Sequence, residues 1–253
     1  MKFAKLYDLG QPYFAGMPHY PTHPPFARTL TRRHGDFVLD NGVSSSSEML
    51  TLGGHVGTHI DALSHFSCDG KLHGGFTPKQ SYAGGVEQHS VDTIEPIIRP
   101  GVLFDIAGLM GVDALAADFE IMPEHLASCG VEPAAGGIAL IRTGWARFWE
   151  DAARYICGGS GSQVVGPGPG VEAARWLSSR GIFAAGSDTV AFEKTPCQME
   201  VHLHLLVEKG IHIIECLNME DLAREGVREF TFSAMPLKIR GGTGSPIRPV
   251  AGV

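Results

Sequence analysis

The 253-residue sequence contains no apolar run that approaches the ~20 residues needed to span a bilayer. It has no stretch rich in Lys and Arg, and its net charge is −7, so a nucleic-acid backbone is a poor partner. The opening MKFAKLYDLG lacks the apolar core of a signal peptide, and we therefore expect a cytoplasmic protein. The five cysteines form neither a CxxC pair nor a disulfide framework, which predicts reduced thiols.

Nucleotide-cofactor signatures are also missing. The segments GSGS (159–162) and GPGPG (166–170) are rich in glycine, but they lack both GxGxxG after a strand and the P-loop lysine. We predict turns there and no nicotinamide, flavin or phosphate-loop chemistry. No internal repeat and no long linker divides the chain, so we predict one domain over residues 1–253.

Four short apolar runs rich in branched residues predict buried strands, at 102–109, 137–145, 181–190 and 210–217. Helical stretches lie between or beside them, at 113–117, 123–129, 170–180, 198–209 and 218–225. This alternation predicts an α/β fold in which helices flank a mixed β-sheet. Residues 1–50 are rich in Pro and then in Ser, and we expect an N-terminal arm of strands and loops that packs on the domain or on a neighbouring subunit.

Histidines are abundant and unevenly placed. The segment GGHVGTHIDALSH (53–65) contains His55, His59, Asp61 and His65. Imidazoles and a carboxylate suit a divalent metal such as Zn²⁺ or Mn²⁺. On a flat strand, His55 and His59 would stand roughly 13 Å apart, too far to share an ion. The site therefore requires a turn or a helical coil, for which the glycines of this segment supply the freedom.

The segment HVGTHIDALSH resembles the H-x-G-T-H-x-D-x-P-x-H signature of the metal-dependent cyclase family, which includes arylformamidase (kynurenine formamidase) and isatin hydrolase. DLGQPYFAGMPHYPTHPPF, LIRTGW, GSDTV and PLKIRGGTGSPIRPVA are similar to other segments of that family, so the resemblance covers nearly the whole chain. One position departs from the signature, because Leu63 stands where the family has Pro.

The resemblance implies that His55, His59 and Asp61 bind a metal and that His65 is the catalytic acid/base. It also implies a later His and Glu as ligands or as neighbours of the centre. Glu215 interrupts an apolar strand, where a buried carboxylate needs a partner or a metal. Either His202 or His204 can be the histidine, and a helical projection places His202 within the apolar stripe and His204 on the polar side.

The implied reaction is hydrolysis of an amide, formamide or lactam C–N bond in a small aromatic substrate, because a divalent ion lowers the pKa of bound water. One or two ions per chain are expected, in a homodimer or homotetramer. A lyase, a dehydratase or a polyketide-type cyclase would use the same metal. A non-catalytic metal- or ligand-binding protein and a hydrolase with a cysteine nucleophile are further alternatives.

Aromatic side chains near the histidine segment predict a substrate pocket. We expect its walls to include Phe14, Tyr20, Phe26 and Phe66. His19 and His23 lie between prolines, and we expect them to be solvated on an exposed loop.

Overall fold

The computed structural model describes residues 2–159 and 163–253, so most of the predicted GSGS turn lies outside the described residues. In this part of the chain the strands are β1 Leu6–Asp8, β2 Ala27–Arg32, β3 Ser47–Thr51, β4 His59–Asp61, β5 Gln80–Ser81, β6 Gly85–Val86, β7 Ile97–Asp105, β8 Glu120–Ile121, β9 Ile138–Arg142, β10 Gly168–Pro169, β11 Ala184–Ser187, β12 His212–Glu215, β13 Glu229–Ala234, β14 Gly244–Pro246 and β15 Val250–Gly252. The helices are short. They are α1 Ile106–Leu109, α2 Pro123–Ser128, α3 Ala152–Cys157, α4 Val171–Ser178, α5 Glu200–His202, which continues as a π-helix over Leu203–Lys209, and α6 Glu220–Arg224, with 3₁₀ turns at His73–Gly75, Val91–Thr93 and Trp145–Phe148.

A nine-stranded mixed sheet organises the molecule, in the order β1-β15-β13-β7-β9-β11-β12-β4-β14. Its centre is parallel, because β7, β9, β11 and β12 run in one direction. Strands on both sides of this centre are antiparallel to their neighbours. The predicted α/β class with a mixed sheet and flanking helices is therefore confirmed.

Each of the four predicted apolar runs overlaps one of these parallel strands. Side chains of a strand alternate between the two faces of a sheet. In β9, Ala139 and Ile141 pack into one apolar cluster, whereas Ile138 and Leu140 pack into a second cluster on the other face. Both faces of the central sheet are thus covered, which explains why these runs are mainly apolar instead of alternating between apolar and polar residues.

Several predicted helices, strands and turns differ from those in the structure, and local hydrogen bonds explain the differences. The run 102–109 ends its strand at Asp105, whose side chain accepts from the Gly108 N–H and starts α1. The predicted helix at 113–117 is wrong, because the backbone of Leu115 bonds to Thr143 and to the Trp145 indole. In GPGPG, the predicted turn is instead the short strand β10, which pairs with β8.

The N-terminal segment divides into two parts. Strand β1 forms an edge of the main sheet by pairing with β15. Strands β2 and β3 pair with each other in a separate two-stranded sheet, and every residue of both strands is exposed. Residues 27–51, which we call the arm hairpin, thus contain the strands and loops expected for the N-terminal arm.

Candidate metal and substrate site

Strand β4 supplies two polar side chains to one face of the sheet. His59 and Asp61 are two residues apart and therefore point the same way. Glu215 on β12 is the direct cross-strand partner of His59. The Nε2 atom of His59 lies 3.5 Å from Asp61 Oδ1 and 3.4 Å from Glu215 Oε2. Strand pairing alone thus brings one imidazole and two carboxylates together.

A bend before β4 adds His55. Gly57 has a φ of +72°, and the Tyr13 hydroxyl donates to the carbonyls on both sides of it, at Val56 and Thr58. This turn brings the ring centroids of His55 and His59 to 5.4 Å, so the turn that the spacing requires is present. The Nδ1 of His55 donates to Asp61 Oδ1 at 2.6 Å.

His202 and His204 point in different directions. The Nε2 of His202 lies 3.3 Å from Glu215 Oε1 and 3.9 Å from Asp61 Oδ2. His204 instead contacts the Ser178 hydroxyl at 2.9 Å and Glu208 at 2.7 Å. His204 thus lies on the side away from the cluster, with Glu208, and α4 packs over that side and leaves His204 buried.

His65 follows β4 in a turn closed by its own N–H and the Ala62 carbonyl. Its ring stacks on that of His55 with centroids 3.7 Å apart. No hydrogen bond reaches either ring nitrogen of His65 from the described residues. His65 therefore lies beside the carboxylates without being tied to them.

These side chains line a cavity of about 180 Å³. Tyr20 and Phe66 form part of its wall, as expected. Phe14 and Phe26 do not line it, and both pack in an apolar cluster with Met17, Trp145 and Trp149. The remaining lining residues are Thr22, His23, His55, His59, His65, Val190, Ala191, Met199, His202 and Glu215.

The close carboxylates and imidazoles perturb one another's protonation. Burial lowers the pKa of His59 and His202, but the adjacent carboxylates outweigh burial and raise these pKa values to about 8 and about 10. Burial raises the pKa of Glu215, and the charge of Asp61 raises it further. Burial, together with the other imidazoles, lowers the pKa of His65 to about 3, so its ring is neutral at pH 7.

Three buried side-chain oxygens make no hydrogen bond within residues 2–159 and 163–253, namely Ser64 Oγ and the carboxylate oxygens Asp61 Oδ2 and Glu215 Oε1. Unpaired buried carboxylate oxygens are costly unless a cation binds them. The possible ligand atoms form two groups that share Asp61, one with His55 and His59 and one with His202 and Glu215. The atoms of each group lie within 4.8 Å of one another, and this N/O donor set fits Zn²⁺ or Mn²⁺.

Three further side chains contact the site residues in ways that the sequence does not predict. His23 is half-buried rather than solvated, and its ring stacks on His55 at 5.3 Å. Thr243 Oγ1 lies 2.9 Å from His55 Nε2, and Glu193 Oε1 accepts from His202 Nδ1 at 2.5 Å. In the sequence, Glu193 is distinguished only as a charged residue that directly follows the apolar residues VAF. That pattern does not indicate its contact with His202.

Comparison with known proteins decides the family. The model of the family named Cyclase matches residues 7–194, which is most of the chain. The chain belongs to this cyclase family. Kynurenine formamidase of Bacillus mycoides is 26% identical over 253 residues, which cover 99% of this chain and 98% of the relative. Kynurenine formamidase of Bordetella petrii is 23% identical over 252 residues, with 97% of both chains covered.

Two solved structures have the same fold. A crystal structure described as a novel cyclase has a TM-score of 0.87 at 26% identity, covering 98% of this chain and 87% of the other. Isatin hydrolase A from Ralstonia solanacearum has a TM-score of 0.76 at 26% identity, covering 98% and 91%. In the described part of this cyclase-family chain, no helix combines the length and apolarity that a membrane crossing requires.

Proposed function

We propose that this chain is a metal-dependent hydrolase that breaks an amide, formamide or lactam C–N bond in a small aromatic substrate. The observation that carries the proposal is the pair of buried, donor-free oxygens on Asp61 and Glu215, which face imidazoles beside an aromatic-lined cavity. The names of the relatives, kynurenine formamidase and isatin hydrolase, support both the bond type and the aromatic substrate.

The proposed ligands are His55, His59, Asp61, His202 and Glu215. A divalent ion bound there supplies a Lewis acid that polarises a carbonyl and makes water a stronger nucleophile at neutral pH. The donor set suits Zn²⁺ or Mn²⁺, and its two overlapping groups can hold one ion or two.

His65 is proposed as the acid/base. Its ring faces the cavity and carries no hydrogen bond from the described residues, so its nitrogens are free to exchange a proton with water or substrate. A non-catalytic binding protein would have no use for an untethered imidazole beside its ligands. Tyr20 and Phe66 are proposed to contact the aromatic ring of the substrate, and the cavity of about 180 Å³ suits a small molecule.

The decisive experiment is a screen of the purified protein with and without added Zn²⁺ or Mn²⁺. N-formyl-kynurenine, isatin, aryl amides and lactones serve as substrates. We expect metal-dependent opening of a C–N bond in at least one of the amide or lactam substrates. Metal-dependent elimination or cyclisation without hydrolysis would instead favour the lyase and cyclase alternatives, and no metal dependence at all would contradict the proposal.

The cysteines do not favour a thiol nucleophile. All five are unpaired, as expected for a reducing compartment such as the cytoplasm, which we propose as the location. Cys216 follows Glu215 directly, but burial raises the pKa of its thiol and keeps the thiol protonated. Single replacement of each cysteine by Ser should therefore leave turnover within about twofold of the wild type, since catalysis would not depend on a thiolate.

The arm hairpin supports a homo-oligomer. Apolar side chains that are about half exposed are concentrated on it, namely Leu30, Phe37, Val38, Leu39, Val43, Met49 and Leu50. A two-stranded sheet exposed on both faces is marginal by itself, and apolar patches of this kind mark interfaces. We therefore propose that the arm hairpin packs on a neighbouring copy of the chain in a homodimer or homotetramer.

Light scattering after size-exclusion chromatography tests the proposed oligomer. Leu30 and Leu50 lie on the same face of the arm hairpin, and changing both to Glu should yield monomers because buried charges disfavour the interface. Ile98→Glu is the matched control, since Ile98 is 56% exposed but lies outside the arm hairpin. A wild-type monomer, or an unchanged oligomer in the double variant, would contradict the assignment.

A further inference from the structure

Glu193 makes an unusual set of contacts for a residue outside the proposed ligand set. Only 2% of it is exposed, and its carboxylate accepts three hydrogen bonds from two consecutive residues. The Val201 N–H donates to Oε2 at 3.1 Å, and the His202 N–H donates to Oε1 at 2.9 Å. The third donor is the His202 ring, through Nδ1 at 2.5 Å. One carboxylate therefore holds both the backbone and the imidazole of His202.

The ring bond determines which nitrogen of His202 faces the cluster. With the Nδ1 proton directed to Glu193, Nε2 is the atom that points toward Glu215 Oε1 and Asp61 Oδ2. His59 is held in the same sense, because its Nδ1 donates to the Gly57 carbonyl at 2.7 Å. Fixing one imidazole nitrogen in this way selects the tautomer and the ring orientation with which the other nitrogen can bind a metal.

We propose that Glu193 is a positioning residue that presents Nε2 of His202 to the divalent cation and thereby sets the affinity of the centre. The inference rests on the proposed function, because it requires His202 to be a ligand. Capping of α5 alone does not account for Glu193, since a capping side chain needs only the backbone N–H groups, whereas Glu193 also binds the ring.

Glu193 could instead belong to a second metal site, because an oxygen of Glu193, the Cys197 thiol and an oxygen of Glu200 lie within 4.8 Å of one another. Two observations disfavour that site. Both oxygens of Glu193 already accept hydrogen bonds. Glu200 is exposed, and its carboxylate accepts from the Gln198 N–H. This cluster therefore does not explain the buried carboxylate.

The test measures the dissociation constant of Zn²⁺ by competition with a chromophoric chelator, so it does not depend on turnover. Glu193→Gln should weaken binding by about 10- to 100-fold, because the ring loses its anionic partner. Glu193→Asp keeps the negative charge but places it farther from the His202 ring. Its affinity for Zn²⁺ should therefore lie between those of the glutamine variant and the wild type. Glu200→Gln and Cys197→Ser are matched controls and should bind as the wild type does; weakening in both would assign Glu193 to the second site and overturn the proposal.

A double-variant cycle with His202→Ala separates positioning from a general loss of structure. If Glu193 acts through His202, Glu193→Gln should weaken Zn²⁺ binding no more than about twofold once His202 is already Ala. If the loss of Zn²⁺ affinity in the double variant equals the product of the losses in the two single variants, the proposal is overturned. Thermal unfolding of the metal-free proteins reports folding separately, and if the glutamine variant does not fold, an aspartate variant with wild-type affinity overturns the proposal.

The same cycle distinguishes this inference from the proposed function. Wild-type affinity in His202→Ala alone would remove His202 from the ligand set, and would contradict the proposed centre as well as the role of Glu193. Weakened binding in His202→Ala with unchanged binding in Glu193→Gln would overturn only the role of Glu193.

Discussion

His55 and His65 lie face to face, with ring centroids 3.7 Å apart and planes inclined by 22°. Their environments nevertheless differ. Both ring nitrogens of His55 have partners, Asp61 and Thr243, whereas the ring of His65 has none among the described residues. Two stacked imidazoles are thus separated into one that is held by a carboxylate and one that is free to exchange protons.

This difference predicts separate effects of two substitutions. His65→Ala should retain metal and lose about 10²- to 10⁴-fold in kcat, the usual contribution of a general acid/base. His59→Ala should lose metal as well as turnover, because His59 lies between Asp61 and Glu215. Elemental analysis and steady-state kinetics measure both quantities.

His65→Phe is the control for the stacked ring, because it keeps an aromatic plane against His55 but has no nitrogen to carry a proton. It should be as inactive as His65→Ala while binding metal normally. Equal loss of metal in the His59 and His65 variants would show that the proposed roles are wrong.

His202 and His204 provide a second comparison within one turn of helix. His202→Ala should weaken metal binding, because its Nε2 lies against Glu215 and Asp61. His204→Ala removes contacts with Ser178 and Glu208, so it should cost about 1 kcal/mol of stability and leave metal affinity unchanged. Full metal affinity in His202→Ala, combined with its loss in His204→Ala, would reverse the assignment.

The sequence predicts the parallel centre of the sheet well, because β9, β11, β12 and the second half of β7 are buried on both faces and read as apolar runs. It does not predict β4. That strand is three residues long and carries two polar side chains on its site face, so it has no apolar pattern. The edge strands β1 and β14 are equally short, and each pairs with a strand far away in the chain, β1 with β15 and β14 with β4.

The sequence predicts the part of the site whose residues lie within one short segment of the chain. The spacing of His55, His59 and Asp61 already demands a bend, and the bend occurs at Gly57. Glu193 and His23 could not be assigned, because their roles come only from contacts with residues distant in sequence or in another loop. The helical projection identified the direction of His202 but not the burial of His204, which depends on α4.

Removal of the metal should destabilise the protein. Asp61 and Glu215 keep donor-free oxygens in a buried site, so a bound cation favours the folded state. At a free metal concentration of 100 Kd, the stabilisation amounts to about 2.7 kcal/mol, which chelation should remove as a fall in Tm. Differential scanning calorimetry before and after addition of Zn²⁺ or Mn²⁺ measures it.

His59→Ala is the control for this measurement, because a protein that binds metal poorly should show the same Tm with and without chelator. An unchanged Tm in wild-type protein, after elemental analysis has verified that the metal is gone, would contradict a structural coupling between the centre and the fold.

Replacement of Arg142 should lower the stability of the protein without loss of metal. It is 7% exposed, and its guanidinium binds Asp105 at 2.8 Å and Glu220 at 2.8 and 2.9 Å. Arg142→Met would leave these two carboxylates without their cation, which should lower the free energy of unfolding by about 3 kcal/mol. Urea unfolding of the metal-free protein measures this change.

Arg224→Met is the comparison, because Arg224 pairs with Asp221 on the surface with both side chains more than 60% exposed. Such a pair should contribute less than about 1 kcal/mol. Similar losses in the two variants would mean that the buried network adds nothing beyond a surface ion pair, and a change in metal affinity would show that Arg142 also supports the centre.

The backbone conformation of Gly57 shapes the metal site, because the bend at this residue brings His55 close to His59. Its φ of +72° disfavours any side chain, and a Cβ there would lie 2.3 Å from Cζ of Tyr13, which is a severe clash. Gly57→Ala should therefore cost more than the ~1–2 kcal/mol of left-handed backbone strain, and it should weaken metal binding by displacing His55 or His59.

Gly226→Ala isolates the backbone strain from the clash. Gly226 has a similar φ of +67°, but no atom lies within 4 Å of the position that a Cβ would take there, so only the strain remains. Urea unfolding and Zn²⁺ titration of both variants should show a larger stability loss for Gly57→Ala, and a loss of affinity in that variant alone.

Because Tyr13 holds the carbonyls on both sides of Gly57, Tyr13→Ala combined with Gly57→Ala should relieve the clash but not the strain. Metal affinity that stays at the wild-type value in Gly57→Ala would show that the bend at this residue does not position the ligands.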